Sequence, residues 1–206
     1  MAVHASLSAD EERFESIIQN LIDHQLGQED GFLNSDLVKQ LRINLELYYS
    51  QNQMHEAGIG KNEQFDKNKL IRGDSIKWID DAPENPAEQE FLEIVQNFVD
   101  YLNKTCYTGI DSFEFHYARY DVGSFYKRHR DQFRADSGRK FSLVFYLNED
   151  WQESYGGQLV IYLPTQTDMV FPVGGRAVFF KADEIDHEVN VASHVRYSIA
   201  GWLKKG

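Results

Sequence analysis

The sequence predicts an α+β fold: a double-stranded β-helix, or jelly roll, supported by N-terminal helices. Two observations lead to this prediction. Residues 1–110 hold three stretches with helical periodicity. Residues 111–206 instead hold six to eight short apolar or alternating runs, separated by turns that contain Gly, Asp or Pro. Because no helix-length segment interrupts these runs, they favour an antiparallel sandwich or barrel of the jelly-roll type.

The three predicted helices each begin at a recognisable cap. In chain order the caps are Ser8 with Glu11 as a capping box, Asn34 or Ser35, and Asn85 followed by Pro86. Gly27 suits the C-terminal cap of the first helix. Apolar residues at helical spacing follow each cap, so we expect the helices to pack on one face of the sheet.

The segment between the second and third helices is predicted to change character part-way. Residues 55–70 combine charged residues and glycine with little periodicity, and we interpret them as a mobile loop. Residues 70–79 contain Ile76, Trp78 and further β-branched side chains, which favour a strand.

The bulk composition indicates one globular domain that spans residues 1–206. Hydrophobic residues make up 42% of the chain and charged residues 26%, which is ordinary for a folded domain. Cys106 is the only cysteine, so no internal disulfide can form. No leader-like segment or run of ~20 apolar residues is present in the sequence. We therefore expect a cytoplasmic monomer that does not associate with membranes.

The charge balance argues against a nucleic-acid partner. A net charge of −12 and a pI near 5.0 oppose broad attraction to phosphate backbones. One local exception is the basic run 127–130, which Arg134, Arg139 and Lys140 follow. This run is either a solvated strand edge or a basic rim that faces a substrate or cosubstrate.

A group of metal-ligating residues can be assembled from two of the predicted strands. His129 and Asp131 are two residues apart, so in a strand both side chains would point to the same face. That spacing alone is unspecific. His187 begins a later predicted strand, however, and two imidazoles with one carboxylate form the facial triad of non-haem Fe(II) oxygenases. These three ligands would leave positions open for a cosubstrate and for oxygen.

Arg196 adds a second feature to this triad. It lies in the strand that follows His187, nine residues further along the chain. An arginine held on a strand inside a barrel can grip a carboxylate through its planar fork. The expected guest is the distal carboxylate of 2-oxoglutarate.

Several further motifs occur in order along residues 55–203. They are AGIGKNE, IRGDSIKWID, RHRD, FYLNEDW, YGGQLVIYLP, VFFKADEIDHEV and RYSIAGWL. With the triad and Arg196, they make residues 70–203 similar to the 2-oxoglutarate dioxygenases of the hypoxia-sensing prolyl hydroxylase group and their bacterial relatives. The core of that group is a double-stranded β-helix.

This resemblance implies a role for each of the following residues. His129, Asp131 and His187 would hold Fe(II), and the same three residues would be the catalytic ones. Arg196, Tyr146 and Tyr120 would bind 2-oxoglutarate. The substrate side would include Tyr126, Arg139, Arg72, Asp74 and Trp202. Arg72 and Asp74 would be either an ordinary turn pair or a latch that orients loop 55–70. O2 would be the co-reactant, and ascorbate is a candidate reductant.

The implied reaction is hydroxylation of a prolyl residue of a protein, with succinate and CO2 as further products. Elongation factor Tu is the candidate substrate, because bacterial members of the group act on it. One alternative is a hydroxylase of a free amino acid or another small molecule. Another is a non-catalytic, cupin-like metal sensor, which would have no need for a buried carboxylate clamp. Nucleic-acid dealkylases of the superfamily carry a second arginine six residues after the first, where this chain has Trp202.

Overall fold

The computed structural model describes residues 7–58, 71–132 and 138–206 of the chain. Its helices are α1 (Ala9–His24), α2 (Ser35–Ser50) and α3 (Pro86–Cys106). Three strands precede or separate them: β1 (Gly27–Glu29), β2 (His55–Glu56) and β3 (Asp74–Trp78). Eight strands follow α3: β4 (Ser112–Tyr120), β5 (Tyr126–His129), β6 (Arg139–Tyr146), β7 (Leu159–Tyr162), β8 (Thr167–Val170), β9 (Ala177–Lys181), β10 (Asp186–Val189) and β11 (Arg196–Lys204).

The strands form two antiparallel sheets. The larger sheet has the order β1-β9-β6-β11-β4-β3-β2, and the smaller has the order β5-β10-β7-β8. Neighbours in both sheets are mostly distant in sequence, as in a jelly roll, where consecutive strands alternate between the two layers. The α+β jelly-roll class is thereby confirmed, whereas the extent of a single domain over residues 1–206 stays a prediction.

The helices cover the outer face of the larger sheet, as predicted. Ile17 of α1, Leu41 of α2 and Phe91 of α3 are fully buried in one cluster with Phe145 of β6 and Phe179 of β9. Phe91 meets Phe145 edge to face, with ring centroids 5.1 Å apart. This apolar layer removes one face of the sheet from water and leaves the other face to form a site.

Strand alternation separates those two faces. In β4, Phe115 and Tyr117 belong to the helical cluster, while Ala118 and Tyr120 belong to a second cluster between the two sheets. Since successive side chains of a strand point to opposite faces, His116 shares the inner face with Ala118 and Tyr120.

The predicted N-terminal caps are all present. Ser8 and Glu11 form the reciprocal capping box of α1. The side chain of Asn34 accepts a hydrogen bond from the amide of Leu37, and that of Asn85 accepts from the amide of Ala87. These contacts satisfy backbone donors that would otherwise lack partners at the start of each helix.

The prediction for Gly27 was wrong. The left-handed residue that ends α1 is Gln25, with φ of 60°, and Gly27 lies in β1, paired with Phe179. A Cβ atom at position 27 would meet the carbonyl oxygen of Ile17 at 2.6 Å. Glycine is therefore required by the close approach of β1 to α1 and not by a helix cap.

Two other regions depart from the sequence predictions. β1 has the sequence GQE, which carries no alternating or apolar pattern, and it was missed. The predicted strand 70–79 is confirmed as the shorter Asp74–Trp78. The predicted loop 55–70 was wrong at its start, because His55 and Glu56 form β2 and pair with β3. Residues 59–70 lie outside the described residues, so the mobility of the loop stays a prediction.

No helix among the described residues has both the length and the apolar character needed to cross a membrane.

We predict that Gly27→Ala lowers the free energy of unfolding by about 1–3 kcal/mol, because the added methyl group must displace backbone atoms of α1. Urea denaturation measures this difference. Gly73→Ala is the matched control, since a Cβ atom there has no neighbour nearer than 3.4 Å. Equal losses in the two variants would contradict the steric explanation.

Candidate active site

A cavity of about 220 Å³ lies between the inner faces of the two sheets. A single water needs roughly 10–15 Å³ by a comparable measure, so the cavity has room for an organic molecule in addition to an ion. Residues from both sheets and from the chain after β5 line it. Those with predicted roles are Arg72, Tyr120, Tyr126, His129, Asp131, Arg139, His187, Arg196 and Trp202.

Three of these residues converge on one point. His129 ends β5 and pairs with His187 of β10, which brings their rings to 4.2 Å between centroids. The Nε2 atoms of His129 and His187 lie 3.5 Å and 3.6 Å from the two carboxylate oxygens of Asp131. One ligand atom from each residue lies within 4.8 Å of the others, and no other such group occurs in the described part of the chain.

Asp131 reaches this point in a different way from the one predicted. β5 ends at His129, so Asp131 is not the next inward residue of a continuing strand. The backbone amide of the following residue, Gln132, donates to the carbonyl of Ala182 and ties this segment to the end of β9. The hydroxyl of Ser142 in β6 then donates to Asp131 Oδ2 at 2.7 Å and orients the carboxylate.

The hydrogen bonds of both imidazoles leave Nε2 free for a metal. The Nδ1 atom of His129 lies 2.8 Å from the carbonyl oxygen of Lys127, and that of His187 lies 3.5 Å from the carbonyl oxygen of Ile185. A carbonyl can only accept, so Nδ1 carries the proton in each ring and Nε2 keeps its lone pair. Backbone carbonyls commonly orient metal-binding histidines in this way.

Burial and mutual contact set the charge states of the group. Burial lowers the pKa of His187 to about 4, so its imidazole is neutral at physiological pH. Burial would raise the pKa of Asp131, but the adjacent rings of His187 and His129 and the hydrogen bond from the Ser142 hydroxyl together lower it. A neutral imidazole at His187 and an ionised carboxylate at Asp131 are the forms that coordinate a divalent cation.

Arg196 lies at one end of the cavity as a buried cation. It is only 2% exposed. Its Nε donates to the carbonyl oxygen of Gly157 at 3.0 Å, and its Nη1 donates to the hydroxyl of Ser198 at 3.2 Å. Within the described residues it forms no ion pair with a carboxylate. A buried guanidinium that lacks a counter-ion is costly, so this end of the cavity is suited to an anionic guest.

Two tyrosines flank Arg196. The guanidinium carbon lies 4.9 Å from the ring centroid of Tyr120 and 5.0 Å from that of Tyr146. The Tyr146 hydroxyl is buried and has no hydrogen-bond partner within the parts of the chain described. Burial raises the pKa of both phenols, so both remain protonated donors. An unpartnered phenol beside an unpaired guanidinium gives two donors for one carboxylate.

The pairing of β3, β4 and β11 divides the cavity into two ends. One row across these strands is Asp74, Tyr120 and Arg196, and a second row is Trp78, His116 and Ala200. The rows are four residues apart, which is about 13 Å along the strands. We call the end at Arg196 the carboxylate end and the end at Trp78 the aromatic end. The triad lines the same cavity.

Arg72 and Asp74 contact the triad indirectly, through the ring of Tyr126. Arg72 donates to Asp74 through two hydrogen bonds of 2.5 Å and 2.8 Å, and the carboxylate is fully buried. The guanidinium lies over the ring of Tyr126 at 4.6 Å, and that ring stacks on His129 with centroids 3.6 Å apart. Burial would lower the pKa of Arg72, but Asp74 raises it. The pair therefore holds the ring of Tyr126 against His129, whichever of its two predicted roles applies to loop 55–70.

The aromatic end contains Arg139 and Trp202. Arg139 pairs with Glu114 at 2.8 Å, and its guanidinium lies 3.4 Å from the ring centroid of Trp202. Its Nη1 also donates to the carbonyl of Asp131 at 3.2 Å. Both residues thus line the cavity beside the triad, where the resemblance placed substrate-side groups.

Two arginines of the basic run share one local carboxylate. Arg128 and Arg130 both form ion pairs of 2.9 Å with Asp186, and both side chains are about half exposed. Arg134 lies outside the described residues. The described arginines of this run therefore favour the solvated strand edge over a basic rim.

Comparisons with known proteins assign this geometry to a family. The model of the 2OG-Fe(II) oxygenase superfamily matches residues 115–204. A solved Pseudomonas putida prolyl-4-hydroxylase is 34% identical, with a TM-score of 0.84 over 94% of this chain and 99% of the other. The chain is a prolyl-4-hydroxylase homologue of the 2OG-Fe(II) oxygenase superfamily.

More distant members of this superfamily agree. Mouse prolyl hydroxylase EGLN3 is 28% identical over 201 residues, which are 88% of this chain and 76% of the mouse protein. Human Egl nine homolog 1 is 26% identical over 199 residues, and this chain spans about half of its length, 46%. A Trichoplax adhaerens prolyl hydroxylase, solved with a hypoxia inducible factor peptide, has a TM-score of 0.84 at 23% identity and supports the fold.

The cofactors that give the superfamily its name fit the residues present. The triad supplies the nitrogen and oxygen donors that Fe(II) takes in such oxygenases. The carboxylate end supplies a buried cation and an unpartnered phenol for 2-oxoglutarate. These two observations are independent of each other, since one concerns lone pairs and the other concerns donors.

Several residues of this oxygenase site were missed in the sequence. They are His116, Ser142, Gly157, Ser198 and Trp78. Alternation from Tyr120, Tyr146 and Arg196 would have placed His116, Ser142 and Ser198 on the inner face. No sequence pattern indicates the carbonyl of Gly157. Gly157 has φ of 65°, which favours glycine. A Cβ atom there would also lie 3.2 Å from Arg196 Cδ, so the absence of a side chain makes room for the aliphatic part of Arg196.

We predict that only one of the two buried serines of this site affects metal binding. Ser142→Ala removes the donor to Asp131, which should raise the dissociation constant of Mn(II), used in place of Fe(II), by about tenfold. Ser198→Ala removes an acceptor of Arg196 and should leave Mn(II) binding unchanged. Calorimetric titration of each variant measures this, and equal Mn(II) affinities in both variants would contradict the assignment.

Proposed function

We propose that this chain is an Fe(II)- and 2-oxoglutarate-dependent oxygenase that hydroxylates a prolyl residue of a protein. The observation that carries the proposal is the buried guanidinium of Arg196, which has no carboxylate partner among the described residues and shares a cavity with the triad. A metal sensor without turnover has no use for such a group. Membership of the prolyl-4-hydroxylases supports proline as the target.

His129, Asp131 and His187 would hold the metal on one side and leave its other positions facing the cavity. With O2 as the oxidant, bound Fe(II) and 2-oxoglutarate would supply oxidative decarboxylation of the cosubstrate to succinate and CO2; one oxygen atom of O2 enters succinate and the other is inserted into a C–H bond of the substrate. Arg196, with hydroxyl donors from Tyr146 and Tyr120, would bind the distal carboxylate and so orient the cosubstrate toward the triad.

The remaining lining residues would bind and orient the substrate. Trp202 and Arg139 occupy the aromatic end, and Tyr126 lies over His129 at the cavity wall. Arg72 and Asp74 hold Tyr126 in place and continue into the segment before β3. Few charged groups at the aromatic end are unpaired, because Glu114 neutralises Arg139, so an uncharged ring such as proline is a suitable guest.

The proposed substrate is elongation factor Tu, as the likeness to bacterial prolyl hydroxylases implies, and the proposed setting is a cytoplasmic monomer. Ascorbate is the proposed reductant. A free amino acid is the second candidate substrate class.

The first prediction of this proposal concerns cosubstrate turnover. Protein supplied with Fe(II), ascorbate and 2-oxoglutarate should release succinate, and His129→Ala should abolish the release. Arg196→Lys should raise the KM for 2-oxoglutarate about 10–100-fold, because a lysine cannot form the same paired hydrogen bonds to a carboxylate. Arg128→Lys, a change on the exposed edge, is the control. An unchanged KM in Arg196→Lys would contradict the role of the clamp.

The second prediction concerns the substrate. Recombinant elongation factor Tu incubated with the loaded enzyme should gain one oxygen atom on a proline, detected by mass spectrometry of its peptides. Heat-treated enzyme is the control. Succinate release without any oxidised proline would leave the oxygenase chemistry intact and remove this protein as the partner, and free L-proline would then be tested.

A further inference from the structure

His116 is a buried polar residue that neither the metal triad nor the carboxylate end uses. It is 3% exposed, and it lines the same cavity. Its Nδ1 atom is buried and has no hydrogen-bond partner in residues 7–58, 71–132 and 138–206. A phenylalanine or leucine would fill the same position without leaving a polar atom unpaired, so the imidazole calls for an explanation.

The position of His116 is fixed by two indoles. Its ring lies 4.9 Å from that of Trp78 and 5.5 Å from that of Trp202, measured between centroids. The strand pairs place it opposite Trp78 on β3 and Ala200 on β11. The two indoles are themselves 6.2 Å apart between centroids, so three aromatic rings in mutual contact form the wall of the aromatic end.

A second unpaired donor lies in the same wall. The Nε1 atom of Trp202 is buried and is likewise without a hydrogen-bond partner among the described residues. The indole N–H can only donate. Two neighbouring aromatic side chains with unmet hydrogen-bonding capacity point to a guest that brings acceptors.

The imidazole is neutral in this wall. Burial, and to a lesser degree the charge of Arg72, lower the pKa of His116 to about 3. A neutral imidazole has one N–H donor and one acceptor nitrogen, so it can donate from Nδ1 without bringing a charge into the cavity.

Proline matches this combination of aromatic walls and unpaired donors. Its ring is apolar, and its residue lacks an amide N–H, so the main chain at a prolyl residue offers carbonyl acceptors. The carboxylate end is already assigned to the cosubstrate, about 13 Å away along the strands. The aromatic end is therefore the part of the cavity that is left to bind a polypeptide substrate.

We propose that His116 is a specificity-determining residue whose neutral imidazole donates a hydrogen bond from Nδ1 to a main-chain carbonyl of the polypeptide substrate, next to a prolyl residue that packs on the wall formed by Trp78, His116 and Trp202. This inference rests on the proposed prolyl hydroxylase function. It adds a main-chain contact that selects peptidyl proline over free proline, because free proline has no neighbouring residue to supply a carbonyl.

Substitutions that move or remove one donor test the contact. His116→Asn keeps an amide N–H near the position of Nδ1, whereas His116→Gln places its amide near Nε2 and His116→Phe keeps only the ring. The probe is a peptide library with a central proline and three randomised residues on each side. Oxidised peptides are identified by mass spectrometry, and the best one is resynthesised to measure KM.

The expected order is specific to a hydrogen bond from Nδ1. His116→Phe and His116→Gln should raise the peptide KM about fivefold, and His116→Asn should stay within about twofold of the wild type. The KM for 2-oxoglutarate should not change in any variant. If His116→Phe does not fold, the ratio of the Gln and Asn variants gives the same comparison.

The opposite order would overturn the inference. A wild-type KM in His116→Phe with an impaired His116→Asn would show that the ring only packs between the indoles. A parallel rise in the KM for 2-oxoglutarate would assign His116 to the cosubstrate. Succinate release with no oxidised library peptide would overturn this inference together with the peptidyl substrate, whereas no succinate release at all would overturn the oxygenase function itself.

Discussion

The site depends on one strand pairing, that of β5 with β10, which sets His129 directly opposite His187. The two histidines are 58 residues apart in sequence, and only the antiparallel register of the smaller sheet brings their rings to 4.2 Å. A shift of one residue in this register would turn one imidazole to the other face of the sheet. Tyr126 stacks on His129 from one side, and Ser142 holds Asp131 from the larger sheet, so both layers contribute to the triad.

The larger sheet determines the charge of the cavity. Arg196 and Arg72 are both largely buried on its inner side, but Arg72 has Asp74 as a partner while Arg196 has only neutral acceptors. The contrast indicates that Arg72 has a structural role, whereas Arg196 is suited to bind an anionic ligand. With Glu114 pairing Arg139 at the far end, the cavity carries one unpaired positive charge among its described residues, beside neutral aromatic walls. Such a cavity orients a dicarboxylate in one direction.

Much of this could be predicted from the sequence, because the strongest signals are local. Alternating runs predicted the strands of the jelly roll, capping residues predicted the starts of all three helices, and family motifs indicated His129, Asp131 and His187. Signals that depend on tertiary contact were missed or misassigned. Gly27 was misinterpreted because the approach of Ile17 is visible only in the folded chain. His116 was missed, although its place in the wall follows from the pairing of β3 with β4.

If the proposed function is correct, the triad and Arg196 act as two ends of one cofactor site. Crystallography of the protein with Mn(II) in place of Fe(II), and with 2-oxoglutarate, tests it most directly. We expect one metal ion bound by His129, Asp131 and His187, and a cosubstrate whose distal carboxylate lies on the guanidinium of Arg196. A metal ion held by other residues, or a cosubstrate carboxylate bound at Arg139, would contradict it.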